Sequence, residues 1–276
     1  MRDQPLNIAV LIKQTFDTEE KIHIENGSLK EEGVKWIINP YDEYAIEQAL
    51  LIREEHGGYV TVITAGPERT EEALRTALAM GADAAVRLIP PNAEMEPSVV
   101  SALLAAYCSD QSFDLIWAGH FSVDHGGGQV AIETACQLGM PHIGAVIHFQ
   151  YEPNTGNVIC KRDVEGDSEV ISASLPVVCT AQQGLCEPRY PSLPNIMKAR
   201  KKPLEVIDHT LLPLSEVQLK SRVRRRLLFP APPHQAGVQV SGTPEEQVSQ
   251  IIGVLQDIGQ LSPSNQPRTE KEEREA

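Results

Sequence analysis

The chain has 276 residues, enough for one large domain or for one domain with an additional arm. Its formal net charge is −14, which argues against nucleic acid and anionic membrane surfaces as partners. Aromatic residues make up 5% of the sequence, so a surface built for stacking bases is not expected.

The five cysteines are odd in number and none lies in a Cys-x-x-Cys motif. The sequence therefore predicts neither a disulfide framework nor a structural zinc site, and we interpret the cysteines as buried free thiols in a reducing compartment. The N-terminal apolar run is too short for a signal peptide, and no stretch approaches the roughly 20 apolar residues of a membrane span. We expect a cytoplasmic protein without direct membrane insertion.

Apolar, β-branched runs alternate with helical patterns through the first part of the chain. Strands are predicted at Asn7–Lys13, Tyr59–Ala65, Ala84–Leu88, Leu115–Ala118 and, further on, Pro176–Thr180. Helices are predicted between them at Glu43–Glu55, Thr70–Met80 (ended by Gly81) and Ser98–Tyr107. This alternation is typical of an α/β fold with a doubly wound, mainly parallel sheet.

Shorter β-like runs interrupt this alternation. Asn26-Gly27 within residues 21–34 predicts a small hairpin. After Gly139, three runs separated by turn residues predict an antiparallel β extension of the sheet at Ile143–Tyr151, Val158–Asp163 and Glu169–Ser174.

The pattern weakens after Pro203. Residues 204–241 are predicted to be poor in strands, a short amphipathic helix is predicted at Glu245–Leu255, and residues 262–276 are polar and charged. We therefore predict an α/β domain over residues 1–203, an extended C-terminal arm over residues 204–261 that lies on a partner, and a disordered tail over residues 262–276.

Three consecutive glycines, Gly126–Gly128, lie between the strand at Leu115–Ala118 and a helical pattern that reaches Leu138. A glycine-rich loop before a helix offers N–H groups at the positive end of the helix dipole, which suits a phosphate. The spacing Gly126-x-Gly128-x-x-Ala131 matches a dinucleotide fingerprint, but no acidic residue ends a strand about 20 residues later. An NAD site and a flexible turn stay open as alternatives to an anion-binding loop of another type.

Two neighbouring features bear on the same site. We interpret Asp124 as the cap of the following helix. Asn39-Pro40-Tyr41-Asp42 follows the first strand at the carboxyl edge of the predicted sheet, where α/β proteins bind ligands. The amide of Asn39 could read an adenine edge, or it could close a turn.

The sequence offers no set of catalytic residues and no metal site. It contains no Walker A, H-E-x-x-H or G-x-S-x-G motif, and His120, His142 and His148 are not spaced as metal ligands, so we interpret them as structural. These observations argue against a self-contained enzyme.

Glu187–Lys202 differs from the rest of this acidic chain because it is basic, rich in proline and carries Leu193, Ile196 and Met197. A basic helix is predicted within it at Ile196–Lys202. We call Glu187–Lys202 the docking segment, since apolar residues beside a basic helix favour a protein-binding role. The alternative is a solvated helix end that favours cations.

Four separated stretches closely resemble the beta subunit of electron transfer flavoproteins, and the likeness extends from about residue 7 to residue 260. They are INPYDEYAIEQAL (Ile38–Leu50), LRTALAMGADAAV (Leu74–Val86), AGHFSVDHGGGQV (Ala118–Val130) and LPVVCTAQQGLCEPRYPSLPNIMKARKKPLEV (Leu175–Val206). The resemblance implies an adenine-nucleotide-binding α/β fold that holds a structural AMP. It also implies an alpha subunit carrying the redox FAD, which takes electrons from acyl-CoA dehydrogenases in fatty acid β-oxidation and delivers them to a quinone oxidoreductase.

The resemblance also implies site residues. The AMP contacts would be Leu11, Asn39, Pro40, Tyr41, Asp42, Ala65, Asp124, His125, Gly126, Gly127, Gly128, Gln129, Val130 and Thr134, with the backbone N–H groups of Gly126–Val130 on the phosphate. The dehydrogenase contacts would be Glu187, Pro188, Arg189, Tyr190, Leu193, Pro194, Ile196, Met197 and Lys198, with Leu193 as the apolar anchor, and Asp163 from another part of the chain.

This chain departs from many relatives in one place. They have Asp-Gly-Asp-Thr-Gly-Gln where this chain has Asp124–Gln129, which we call the glycine loop. The threonine hydroxyl is lost at Gly127, so a phosphate contact there has to come from the backbone. His125 places an imidazole where glycine is common, so the local backbone conformation is expected to differ.

Two other functions compete with a simple electron carrier. Some relatives bind a second FAD in place of AMP and bifurcate electrons from NADH, but they lack the Leu-Pro-Asn-Ile-Met-Lys sequence found here at Leu193–Lys198. A nucleotide-binding regulatory protein of similar fold, without a flavin partner, is the other alternative. The docking sequence favours the AMP-binding carrier.

Overall fold

The computed structural model describes residues 5–20, 22–92, 95–223, 225–230, 232, 237 and 239–261 of the chain. Two compact units contain these residues, one formed by residues 1–228 and one by residues 229–276. The predicted tail, residues 262–276, lies outside the described residues.

The strands alternate with helices as the sequence predicts. In chain order the strands are β1 (Leu6–Leu11), β2 (Gln14–Phe16), β3 (Ile24–Glu25), β4 (Ser28–Leu29), β5 (Trp36–Ile38), β6 (Gly58–Ala65), β7 (Ala84–Ile89), β8 (Leu115–Gly119), β9 (His142–Glu152), β10 (Asn157–Val164), β11 (Asp167–Ser174), β12 (Val177–Ala181) and β13 (Leu204–Asp208). The α-helices are α1 (Pro40–His56), α2 (Glu71–Met80), α3 (Pro97–Ser109), α4 (Val130–Leu138), α5 (Leu193–Ala199) and α6 (Pro244–Asp257).

A nine-stranded sheet with the order β11-β10-β9-β12-β8-β1-β6-β7-β13 forms the centre of the first unit. In this order, every pair of neighbours from β9 through β12, β8, β1, β6 and β7 to β13 is parallel. At the other edge of the sheet, β9 pairs with β10 and β10 with β11 in antiparallel fashion, which forms the extension. The chain proceeds from β1 outward through β6 to β7 and then returns to place β8 on the other side of β1. The strand order therefore reverses between β1 and β8, which makes this the switch point of a doubly wound fold.

Alternate residues of β1 enter two different cores. Leu6, Ile8 and Val10 pack with apolar residues of α1 and α2, whereas Ala9 and Leu11 pack with α3 and α4. Because the sheet is covered on both faces, its central strands read as continuous apolar runs instead of alternating ones. The predicted doubly wound, mainly parallel α/β fold with an antiparallel extension is confirmed.

The structure adds one strand that the sequence pattern did not predict. A strand at Leu204–Asp208 pairs in parallel with β7, although the sequence pattern assigned no strand there. As an edge strand it is only partly buried, so it lacks the apolar run that marks the central strands.

Two helices begin earlier than predicted. Helix α1 begins at Pro40, because proline suits the first helical position. Helix α5 spans Leu193–Ala199 and not Ile196–Lys202, because Ser192 caps it by accepting a hydrogen bond from Asn195 N.

In the second unit, α6 corresponds to the helix predicted at Glu245–Leu255. A capping box starts it, with Thr243 Oγ1 accepting from Glu246 N and Glu246 Oε2 accepting from Thr243 N. Its apolar side chains are exposed at Val248, Ile251, Ile252 and Val254.

The carboxylate of Asp42 bridges the ends of β1 and β8. Its Oδ2 accepts a hydrogen bond from Lys13 N at 2.6 Å, and its Oδ1 accepts one from Gly119 N at 3.0 Å. Asn39 Nδ2 also donates to Oδ1, at 3.1 Å. Asp42 lies in the first turn of α1, where the helix dipole favours a negative charge. This one side chain therefore fixes the two strands where they diverge at the switch point.

We expect Gly119→Ala to disrupt this bridge. A Cβ at Gly119 would lie 2.2 Å from Asp42 Oδ1 and 2.8 Å from the carbonyl carbon of Tyr41, so the carboxylate would have to move. The free energy of unfolding should fall by roughly 1–3 kcal/mol, the usual cost of overpacking. Gly253→Ala in α6 is the matched control, since a Cβ there meets no atom within 4 Å. Equal unfolding midpoints for the two variants in urea would contradict the bridge.

A second expectation concerns pH. Burial raises the pKa of Asp42 to about 7, against the opposing effect of its N–H donors and of the Lys13 ammonium. The unfolded chain releases this proton near its ordinary pKa of about 4. The contribution of Asp42 to stability is therefore fully present below pH ~4 and lost as the pH rises to about 7.

Urea unfolding of the wild type and of Asp42→Asn at several pH values checks this. Wild type should lose stability relative to the non-titrating variant as the pH rises from ~4 to ~7. A stability difference that stays constant over this range would refute the assignment.

Candidate functional site

A cavity of about 260 Å³ opens at the carboxyl ends of β1, β6 and β8, beside the switch point. Met95, Val100 and Leu104 form an apolar wall, while Lys13 and Arg69 bring positive charge to the opening. Its position is the one where open α/β sheets bind ligands. Its volume is close to the lower end of the roughly 300–1,000 Å³ that small-molecule sites span.

Most residues predicted to bind the cofactor line this cavity. They are Leu11, Asn39, Asp42, Ala65, His125, Gly127, Gly128, Gln129 and Val130. The lining does not include Pro40, Tyr41, Asp124, Gly126 or Thr134.

Three of these exceptions have other contacts. The Tyr41 ring packs against the Phe121 ring with centroids 4.2 Å apart. Thr134 is fully buried and its Oγ1 donates to Val130 O at 2.7 Å. Asp124 Oδ1 accepts a hydrogen bond from Lys13 Nζ at 2.7 Å. The prediction that Asp124 caps α4 is wrong, because Gln129 holds the cap position and no side chain caps this helix.

The Asn39 side chain is used within the protein. Its Nδ2 donates to Asp42 Oδ1 and, at 2.9 Å, to Phe121 O, and its Oδ1 accepts from Val123 N at 3.1 Å. Asn39 is also buried. Of the two roles left open by the sequence, the geometry favours the one that closes the loop after β8 over the one that reads an adenine edge.

The glycine loop leads directly into α4. Gly126 and Gly128 have φ values of +69° and +60°, a left-handed conformation that glycine adopts without strain. Within the described part of the chain, the N–H groups from Gly127 to Val130 have no hydrogen-bond acceptor. All four residues line the cavity, so their N–H groups are donors available to bind an anion there.

The two departures from the family pattern are linked in space. A Cβ at Gly127 would lie 2.9 Å from Nδ1 of the His125 ring. Glycine at position 127 therefore leaves room for the imidazole at position 125. The φ of Gly127 is not in the left-handed region, so the reason for this glycine is space and not backbone conformation.

Two cationic residues at the cavity were not identified from the sequence. Lys13 lies two residues beyond the end of β1, and its Nζ also donates to Ser122 Oγ at 3.3 Å. The Arg69 guanidinium lies 3.5 Å from the centroid of the Trp36 ring and donates to Gln14 Oε1 at 2.7 Å. Burial lowers the pKa of Arg69 from its very high ordinary value, and the group stays charged. A lysine placed two residues beyond a strand's carboxyl end is the signal that could have identified Lys13.

His120, interpreted as structural from its spacing, also lines the cavity. Its Nδ1 lies 3.3 Å from Thr180 Oγ1. Burial, followed by the nearby Arg162 charge, lowers the pKa of His120, which favours a neutral imidazole at this wall.

The docking segment presents apolar side chains to solvent. Tyr190 is 96% exposed, Leu193 79% and Met197 62%. Glu187, Pro194, Ile196 and Lys198 are exposed beside them, and Pro188 is half-buried. Exposed apolar residues clustered on one helix and its flank are typical of a protein-binding surface.

Arg189 differs from its neighbours in this segment. Its guanidinium donates to both carboxylate oxygens of Glu47 and to Glu54, with the shortest contact, from Nη1 to Glu54 Oε1, at 2.6 Å. Arg189 therefore forms its ion pairs with α1 of its own chain.

Asp163 lies apart from the docking segment. It is exposed on β10, next to the β11 edge of the sheet, whereas α5 packs on α2, which covers β6 and β7. The structure thus places the two sets of predicted dehydrogenase contacts on different halves of the sheet.

The remaining sequence predictions concern thiols, metals and membranes. Cys108, Cys160 and Cys179 are buried free thiols as predicted, but Cys136 on α4 is exposed, and Cys186, just before the docking segment, is half-buried. The described residues contain no group of three or more His, Cys, Asp or Glu arranged to hold a metal ion. In the same part of the chain, no helix has the length and apolar character needed to cross a bilayer.

Comparison with known proteins identifies the family. The electron transfer flavoprotein domain matches residues 26–212. The electron transfer flavoprotein subunit beta of Bacillus subtilis (strain 168) is 47% identical over 91% of this chain and 97% of its own length. The subunit of the same name from Syntrophomonas wolfei is 36% identical (87% and 92% covered), and the one from Homo sapiens is 33% identical (93% and 99% covered). These matches show that the chain belongs to the electron transfer flavoprotein beta-subunit family.

Proposed function

We propose that this chain is the beta subunit of a cytoplasmic, heterodimeric electron transfer flavoprotein of the AMP-binding, non-bifurcating type. It would pair with an alpha subunit that holds the FAD, accept electrons from acyl-CoA dehydrogenases and pass them to a quinone oxidoreductase. The exposed apolar helix α5, which contains Leu193–Lys198, is the observation that carries this proposal. The FAD supplies the electron-storing chemistry, and this chain supplies nucleotide binding and docking surfaces.

The cavity at the switch point supports AMP binding. The N–H groups of Gly127–Val130 and the positive end of α4 suit a phosphate, and Lys13 adds a positive charge. The apolar wall of Met95, Val100 and Leu104 suits a flat base. A ligand that binds only the folded chain stabilises it, so AMP would contribute to stability without taking part in electron transfer.

The C-terminal region supports pairing with an alpha subunit. Helix α6 exposes four apolar side chains, Val248, Ile251, Ile252 and Val254. Exposure of such a cluster to water is unfavourable, so we expect a partner to cover it. We propose that residues 204–261 act as the arm that packs on the alpha subunit, with β13 at the start of the arm held in the sheet of this chain. Asp163 on β10 would add a separate contact to the dehydrogenase.

Nucleotide analysis tests the cofactor assignment. We expect the heterodimer purified from its source to release one FAD and one AMP per complex, quantified by mass spectrometry. Two FAD would instead indicate the bifurcating type, and a colourless homodimer would indicate a regulatory protein. Either result would overturn the proposal.

Lys13→Met tests the phosphate site directly. The AMP content should fall, because the variant loses a cation and leaves Asp124 unpaired beside the phosphate. The FAD content should not change. Lys30→Met is the matched control, since Lys30 has a similar exposure and pairs with Glu25 away from the cavity. Unchanged AMP content in Lys13→Met would exclude Lys13 from the site.

Leu193→Ala tests the docking surface. Loss of a central apolar anchor should lower kcat/KM for reduction of the heterodimer by an acyl-CoA dehydrogenase about tenfold, mainly through KM. FAD and AMP content should stay constant. Ile132→Ala, an exposed apolar position on α4, serves as the control. Kinetics equal to wild type for Leu193→Ala would argue that dehydrogenases dock elsewhere.

A further inference from the structure

The docking segment is attached to the rest of the protein at both ends. Just before its start, Cys186 Sγ donates to Tyr44 O at 3.4 Å, and within its first residues Arg189 bonds to two glutamates of α1. At its end, Ala199 is buried and its carbonyl accepts from Arg75 Nη1 at 2.8 Å. The exposed side chains lie between these two attachments.

The end of the segment is held by helix α2. Arg75 Nη1 also donates to Lys202 O at 2.9 Å, which satisfies carbonyls just beyond the C-terminus of α5. Lys202 Nζ donates to Leu78 O at 3.1 Å and to Ala82 O at 2.6 Å, at the C-terminal end of α2 where cations are favoured.

The start of the segment depends on Arg189. Its Nε and Nη2 donate to Glu47 at 2.8 Å each, and Nη1 and Nη2 donate to Glu54 at 2.6 Å and 3.2 Å. Its backbone N–H also donates to Glu47 Oε2 at 3.1 Å, so main chain and side chain are fixed by the same carboxylate. Glu47 is 4% exposed, so the forked ion pair has a buried carboxylate on the α1 side, while the Arg189 side chain is partly exposed.

A seven-residue helix such as α5 does not hold its shape in water by itself. Its orientation has to come from tertiary contacts on either side. Tyr190 follows Arg189 directly, and Leu193 begins α5 three residues after Tyr190, so both inherit their direction from the backbone at Arg189.

We infer that Arg189 is a positioning residue for electron transfer: by binding Glu47 and Glu54 it fixes the start of the docking segment, so that Tyr190 and Leu193 are presented in one orientation. This inference rests on the proposed function, because it concerns how the proposed dehydrogenase surface is kept ready. Arg189 itself does not touch the dehydrogenase. Ordering the segment before contact removes the entropic cost of ordering it during contact, which lowers KM.

The test uses the complete heterodimer and the double variant Glu47→Gln/Arg189→Met. Removing both charges avoids leaving a buried carboxylate unpaired, which would destabilise the whole chain in the single Arg189→Met variant. KM for an acyl-CoA dehydrogenase should rise about 3- to 10-fold, while kcat at saturation, FAD content and AMP content stay at wild-type values. Amide hydrogen exchange should accelerate at residues 190–198 and stay slow in β1 and β6.

Arg189→Lys provides a graded comparison. Lysine keeps the positive charge but loses the planar fork, so its KM should lie between those of wild type and the double variant. Faster exchange at residues 190–198 without a rise in KM would overturn the inference, and so would a raised KM with unchanged exchange.

Leu193→Ala separates this inference from the proposed function. If Leu193→Ala raises KM and the double variant does not, Arg189 is not a positioning residue but the docking surface stands. If neither changes KM, the docking function of the segment itself is wrong.

Discussion

The Asp42 carboxylate is the interaction on which the rest of the site depends. It accepts N–H groups from the ends of β1 and β8 and from Asn39, at the point where the strand order reverses. The chain continues from β1 to α1 on one face of the sheet and from β8 to α4 on the other face, so the two strands separate at their carboxyl ends. A carboxylate with several acceptor positions can bridge this gap. The need for Gly119 follows, because any side chain there would occupy the place of Asp42 Oδ1.

Helix α1 connects the two surfaces that we propose to be functional. Its first turn supplies Asp42 to the nucleotide cavity, and Glu47 and Glu54 further along receive Arg189 of the docking segment. The same helix packs Ala45, Ile46 and other apolar residues into the core, so both surfaces are built on a rigid element. A binding surface supported in this way needs little ordering when a partner arrives.

The charge distribution fits this division of tasks. The chain carries a net charge of −14, yet Lys13 and Arg69 lie at the cavity and basic residues accumulate after α5. Several of these cations are engaged by carboxylates or carbonyls, as Lys13 is by Asp124 and Lys202 by the end of α2. Positive charge is thus placed at the cavity and at the C-terminal end of α2, whereas the chain as a whole is acidic because Asp and Glu outnumber Lys and Arg.

The sequence by itself determined the fold class, the order of the main elements and the glycine loop, because continuous apolar runs, helical periodicity and turn residues are local signals. It also pointed to Leu193 and its neighbours, through composition and family resemblance. Only the tertiary structure decided which polar side chains meet. Asp124 pairs with Lys13 instead of capping α4, Asn39 closes a loop, and Arg189 faces α1, since each of these partners is far away in sequence. The edge strand β13 escaped the sequence pattern for a related reason, because its place in the sheet depends on a neighbour, β7, more than 100 residues earlier in the chain.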